Sequence, residues 1–246
     1  GLTQAVESSP AINAIPTNFR DAQGHWLGLS LRARPLMVSK DSPEALAITN
    51  LEELALPKWK GKICIRSSNN IYNQSMVAAL IAQLGETATQ AWLNGFVSNF
   101  ARSPQGGDRD QIKAVAAGLC DIAIANTYYL AGMLSTEDQT TQEQAKKVKV
   151  IWPNQTDRGA HVNISGVALT KNAPNKEAAV KLIDFLLNNE SQQWYAETNH
   201  EYPVLESIVW SNLLQSFGQF KAEQVPLSQL GEFNAQAVKM MDYAGW

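Results

Sequence analysis

The chain has 246 residues, 45% hydrophobic and 17% charged, enough apolar material for a sizeable core and too much for a disordered chain. Twenty Lys and Arg against 23 Asp and Glu leave a net charge of -3, and no Lys/Arg run exceeds two residues. A phosphate-backbone footprint is missing, which argues against nucleic acid as a partner. No apolar stretch approaches the roughly 18 residues of a membrane span. The opening Gly1-Leu2-Thr3-Gln4 has neither a basic segment nor an apolar leader. Cys64 and Cys120 leave two readings open, one disulfide or two buried thiols.

Residues 1–24, rich in Pro, Asn and Ala, read as irregular chain with at most one short helix. Residues 26–38 alternate like a long strand interrupted by Pro35, a pattern suited to passing between two lobes. A short apolar strand at 63–65, helices near 72–84, 87–100 and 108–118, and a strand at 121–125 then alternate, which predicts a parallel sheet covered on both faces. A polar helix near 139–147 and strands at 148–152 and 161–170 follow. Pro174-Asn175 opens a helix whose Ala178, Ala179, Leu182, Ile183, Phe185 and Leu186 share a face expected to be core. Further helices are expected near 191–198, 205–217 and 228–241.

The familiar catalytic signatures are absent: no Gly-x-Ser-x-Gly, no Walker loop, no His-Glu-x-x-His and no Cys-x-x-Cys, and His25, His161 and His200 lie far apart. Both cysteines sit in apolar strand-like segments, where a nucleophile is not expected. What asks for explanation is Asn126-Thr127-Tyr128-Tyr129 directly after the strand at 121–125. Ligands of open α/β sheets bind beyond the carboxyl ends of the strands. Tyr72 stands at the analogous place after the strand at 63–65, so three of six tyrosines crowd one sheet edge. Phenolate oxygen is a hard anionic donor whose proton, with a pKa near 10, yields readily only to a strongly Lewis-acidic cation. Ferric iron is the obvious match. Helix starts at 67–72 and 106–108 offer backbone N–H groups to an anion. Arg32 and Arg34 share a strand face by alternation, so one or both could line the crevice or close a salt bridge.

The strings Pro57-Lys58-Trp59-Lys60-Gly61-Lys62-Ile63, Ile71-Tyr72-Asn73-Gln74-Ser75, Gly118 through Tyr129, Val162-Asn163-Ile164-Ser165-Gly166 and Glu201-Tyr202-Pro203 resemble the ferric-ion-binding periplasmic proteins of ABC iron importers, in their cyanobacterial branch. The resemblance covers nearly the whole chain. It implies an α/β, two-lobed periplasmic-binding-protein-like fold of type II with a hinge. Lobe one would comprise 1–35 and 165–217, lobe two 36–164 and 218–246. It further implies a monomeric periplasmic solute-binding protein that closes on Fe3+, with a synergistic small anion where one is needed, and delivers it to a permease in the inner membrane.

By the same resemblance Tyr72, Tyr128 and Tyr129 are metal ligands, Arg32 helps to offset phenolate charge, and Asn126 hydrogen-bonds a ligand or anion. Family members begin with a strand and a His-Tyr-type segment that adds lobe-one ligands. Nothing in residues 1–24 matches it, so an incomplete first lobe is expected. A Cys64–Cys120 disulfide is plausible if their strands are neighbours, as the usual strand order makes them. The alternative within the fold is a receptor for a small organic solute or anion. Catalysis is not expected, because no partner base is recognisable for a tyrosine acting as acid or base.

Overall fold

The computed structural model describes residues 1–246, which divide into two compact units. Unit 1 holds 1–32, 163–218 and 226–228; unit 2 holds 33–162, 219–225 and 229–246. The chain therefore crosses from one to the other between Arg32 and Ala33 and again between Val162 and Asn163.

The first stretch is more ordered than its composition suggests. β1 (Thr3–Gln4) is followed by α1 (Pro10–Asn13), which Ser9 caps by accepting from Ile12 N at 3.3 Å. Ile12, Ile15 and Phe19 then bury their side chains, and β2 (Leu27–Ala33) carries the chain into unit 2.

Unit 2 opens on β3 (Leu36–Ser39) and α2 (Pro43–Leu46), followed by β4 (Ile63–Cys64) and α3 (Ile71–Ser98). The two helices expected here are both present within this span, separated by a sharp kink at Gly85, whose backbone is not helical. Its φ of +79° is the left-handed conformation that glycine alone adopts without penalty. Next come α4 (Asp108–Ala116), β5 (Ile122–Ile124), α5 (Thr127–Ser135), α6 (Gln139–Lys146) and β6 (Val148–Ile151).

The sheet order is β4-β5-β3-β6. Only β4 and β5 are parallel, and β3 runs antiparallel to both β5 and β6. The all-parallel expectation is thus corrected to a mixed sheet. The physical reason is that β3 enters directly from β2 through Arg34-Pro35, with no crossover helix to impose a parallel direction. Leu36, Met37, Val38, Ile122, Ala123 and Ile124 are fully buried at its centre. Cys64 in β4 is disulfide-bonded to Cys120, which lies just before β5 rather than inside a strand.

Back in unit 1, β7 (Val162–Val167) joins β2 and the later β9 in a three-stranded sheet of order β7-β2-β9, and β8 (Leu169–Thr170) pairs with β1. α7 (Lys176–Leu186), α8 (Asn189–Trp194), β9 (Tyr202–Pro203) and α9 (Asn212–Ser216) follow. The expectation of a fully buried stripe on α7 fails. Ile183 is buried, but Leu182 and Phe185 are each 56% exposed, because β8 and α8 cover only one side of this short helix.

The helix expected over 205–217 shrinks to α9, whose start is fixed by Ser211 accepting from Leu214 N at 3.4 Å. α10 (Leu227–Glu232) and α11 (Asn234–Ala244) end the chain, α11 packing along α3. Before them, residues 219–225 belong to unit 2 and lie against its 159–160 segment. Ala160 N donates to Lys221 O and Glu223 N to Ala160 O, both at 2.9 Å. Gly159 (φ +89°) permits this approach, since a Cβ there would fall 2.7 Å from the backbone of Lys221 and Ala222.

Candidate metal centre

Tyr128 and Tyr129 lie in the first turn of α5, a helix the sequence did not announce, and Tyr72 lies in the first turn of α3. These helices follow the parallel neighbours β4 and β5, so their starts emerge side by side at one sheet edge. The three phenols meet there. Tyr128 Oη donates to Tyr72 Oη at 3.0 Å, and Tyr72 Oη lies 3.5 Å from Tyr129 Oη. The Tyr128 and Tyr129 rings sit 4.3 Å apart at 36°. The Asn126 amide donates to Tyr128 Oη at 3.4 Å.

Burial pushes the Tyr128 hydroxyl far above the usual phenol range, and its hydrogen bonds with Tyr129 and Tyr72 push it further. Burial also raises Tyr129, helped by Tyr72 and the Asp108 carboxylate. Tyr128 and Tyr129 therefore hold their protons until a cation displaces them, because crowded oxygens cannot all ionise in a partly desolvated place. Guanidinium groups flank the rings. Arg34 and Arg66 lie 5.7 and 5.3 Å from the Tyr72 ring, and Arg109 lies 5.3 Å from that of Tyr129.

No group of three or more His, Cys, Asp or Glu side chains forms a competing metal cluster. The Asp108 carboxylate, whose charge is felt at Tyr129, is itself engaged. It accepts from Arg34 Nη1 at 2.9 Å, Arg66 Nη1 at 3.2 Å and Asn126 N at 2.8 Å. The two helix starts read as anion sites are partly used from within: Asn70 Oδ1 accepts from Tyr72 N at 3.0 Å, and Asp110 Oδ2 from Gly107 N at 2.7 Å.

The other expected residues are placed as follows. Asn126 is beside the phenols. Arg32 belongs to unit 1, where its Nε donates to Ser165 Oγ at 2.8 Å and lies 3.4 Å from Glu201 Oε1. His161 is the one histidine of unit 2, buried with Nδ1 2.5 Å from Glu223 Oε1. Sequence reasoning missed Asp108 and Asn73 as site-building residues, and gave Arg34 no definite partner. Asp108 at a helix start reads as an ordinary dipole-compensating residue, and its partners lie 18 to 74 positions away.

An α/β chain in two units, with ligand-suited side chains at the carboxyl edge of a sheet, is the architecture of a solute-binding protein. A family model for bacterial extracellular solute-binding proteins matches residues 1–217, and the chain belongs to that family. It is 46% identical over 246 residues to iron uptake protein A1 of Synechocystis, covering all of this chain and 68% of that protein. It is 27% identical over 233 residues to the Fe(3+)-binding periplasmic protein of Serratia marcescens, covering 94% of this chain and 66% of that one. Among solved structures, a Trichodesmium protein (IdiA, FutA) in complex with iron and citrate ligands superposes with a TM-score of 0.96 at 46% identity. That match covers 100% of this chain and 78% of the other.

Proposed function

We propose that this chain binds ferric ion through the phenolate oxygens of Tyr72, Tyr128 and Tyr129 and delivers it to an ABC permease in the inner membrane. The observation that carries the reading is the meeting of three phenol oxygens within 3.0 and 3.5 Å, beside a carboxylate already engaged by two arginines. Three hard oxygen donors suit a trivalent hard cation. Three phenolates leave the remaining positions of an octahedron to water, a small anion or further side chains. The relatives named for iron uptake, and one solved with iron and citrate, support the same ligand class. The Asn126 amide steadies the Tyr128 oxygen. Arg32 has its own partners in unit 1, and the reading does not depend on it. The role is capture and hand-over by a periplasmic monomer, with no reaction catalysed. No helix of the chain is long and apolar enough to cross a membrane.

Titration with ferric citrate tests this directly. A phenolate-to-iron charge-transfer band should grow and saturate at a single iron per chain. Tyr128→Phe and Tyr129→Phe should each lose the band while keeping the melting temperature. Colour retained in both variants would sink the assignment. Citrate binding seen by calorimetry without any band would favour the organic-anion receptor instead.

The pH dependence has a fixed sign. The raised phenols are protonated at neutral pH in the metal-free chain, so binding must release their protons. Affinity should fall on acidification by up to about a decade per pH unit for each phenolate formed.

A further inference from the structure

The phenols of unit 2 rest on a buried polar network that includes the Asp108 carboxylate and the Asn126 amide already named beside them. Its centre is an ion pair, Arg34 with Asp108, whose side chains are 1% and 0% exposed. Arg34 spreads its fork over three acceptors. Nη1 donates to Asp108 Oδ2 at 2.9 Å and to Asn126 Oδ1 at 3.1 Å, and Nη2 to Asn73 Oδ1 at 2.6 Å. Asn73 is the residue after Tyr72, and Asn126 lies two before Tyr128.

Asp108 makes the reciprocal links, accepting from Asn126 N at 2.8 Å and Arg66 Nη1 at 3.2 Å. Asn73 Nδ2 donates back to Arg66 O at 3.0 Å and Ser67 O at 3.1 Å, closing the loop that leads into α3. The bonds of Arg34 and the Asp108–Asn126 bond are fully buried, those involving Arg66 and Ser67 are part-buried, and the Arg34–Asp108 charges stand at the centre. Such bonds are strong and directional, and a network of them holds only one geometry.

We propose that Arg34 and Asp108 are positioning residues for the tyrosines: their ion pair locks the starts of α3 and α5 together, so that Tyr72, Tyr128 and Tyr129 are gathered before the metal arrives. The distances support this. A metal site tolerates displacements of only about half an ångström in its donors, and the α3 and α5 donors sit one and two residues from an atom that Arg34 grips. The guanidinium fork is essential, because lysine carries the same charge but cannot reach Asp108, Asn73 and Asn126 at once. Arg34 also stands two residues past the crossing from unit 1, and its backbone N donates to His161 O, next to the return crossing, at 3.0 Å.

Charge alone predicts a different result for one variant, which makes the proposal testable. Binding exchanges three phenol protons for one trivalent cation, so the Asp108 carboxylate meets almost no net change of charge and a purely electrostatic role would leave iron binding nearly unchanged. A positioning role loosens it.

The experiment is ferric citrate titration of the chain and its Asp108→Asn and Arg34→Lys variants, followed by the visible band well below every melting temperature. Both variants should bind about 10 to 100-fold more weakly, with the band at saturation shifted or weakened although no donor has been removed. A merely structural role would lower the melting temperature and leave the folded chain's affinity and band unchanged, which would overturn the proposal. Asp108→Asn binding more tightly than wild type would do the same. If Asp108→Asn does not fold, Arg34→Lys decides alone, since it preserves the charge. The inference rests on the tyrosines being the ferric site. No band in the wild-type chain would sink that reading and this role with it, whereas a wild-type band with unaltered variants would sink only the positioning role.

Discussion

Arg32 and Arg34 stand two residues apart and end in different worlds. Arg34, in unit 2, is sealed from solvent against Asp108 and holds two asparagines. Arg32, in unit 1, keeps 32% of its side chain exposed and leans on Glu201 and Ser165. Alternation in the sequence predicts one face for both, but β2 ends at Ala33 and the chain changes unit between Arg32 and Ala33. Each guanidinium therefore finds the carboxylate of its own unit. Unit 2 has committed a buried charge to the geometry of its tyrosines, whereas unit 1 sets a part-exposed arginine against the buried Ser30 and Glu201 and the part-buried Ser165. The same residue type, at nearly the same place in the chain, has a role set by what covers it.

The largest effect that would break this comparison comes from truncating the two arginines in parallel. Arg34→Met leaves Asp108 buried with only Arg66 for an ionic partner, and should cost about 3–5 kcal/mol of unit 2 stability. Arg32→Met should cost less, about 1–3 kcal/mol, because only the carboxylate of its pair is buried and Glu201 keeps two serine hydroxyls. Urea unfolding followed by intrinsic fluorescence measures both, with the units allowed separate transitions. Equal losses would mean that burial does not separate the two sites.

Next in size is the disulfide, which belongs to unit 2 alone. Cys64 and Cys120 are 56 residues apart, a separation for which loop-closure entropy predicts about 4 kcal/mol of stabilisation. Cys64→Ala with Cys120→Ala should lower the unit 2 transition by up to that amount and leave unit 1 where it was. A shift confined to unit 1 would contradict the division of the chain at its observed crossings.

How much of this was legible beforehand follows from the range of the forces involved. Apolar patterning placed β4, β5 and β6, though it read β2 and β3 as one long strand broken at Pro35, and local periodicity announced α3, α4 and α6 but not α5. The meeting of Tyr72 with Tyr128 was also readable, because a residue just beyond a parallel strand must emerge at the same sheet edge as its neighbour's. What stayed hidden was long-range and polar. Nothing local tells Asp108 from any other acid at a helix start, and the partner of Arg34 depends on tertiary packing. The antiparallel setting of β3 was hidden for a related reason, since direction in a sheet is decided by the connection and not by the strand's own residues.

The smallest predicted effect concerns the stripe on α7, where local pattern and tertiary cover disagree most sharply. Leu182 and Ile183 are adjacent, equally apolar, and indistinguishable by periodicity. Yet Ile183 is 2% exposed and Leu182 56%. Ile183→Ala should cost about 2–5 kcal/mol, the transfer and cavity terms of a core position. Leu182→Ala should change stability by no more than about 0.5 kcal/mol, as a surface substitution does. The two variants share a helix and a unit, so propensity and charge cancel between them and only burial differs. If Leu182→Ala instead costs as much as Ile183→Ala, the stripe is covered in solution. Repeating the melt across a range of chain concentrations would then identify the cover, since association between copies makes the transition concentration-dependent and any intramolecular cover does not.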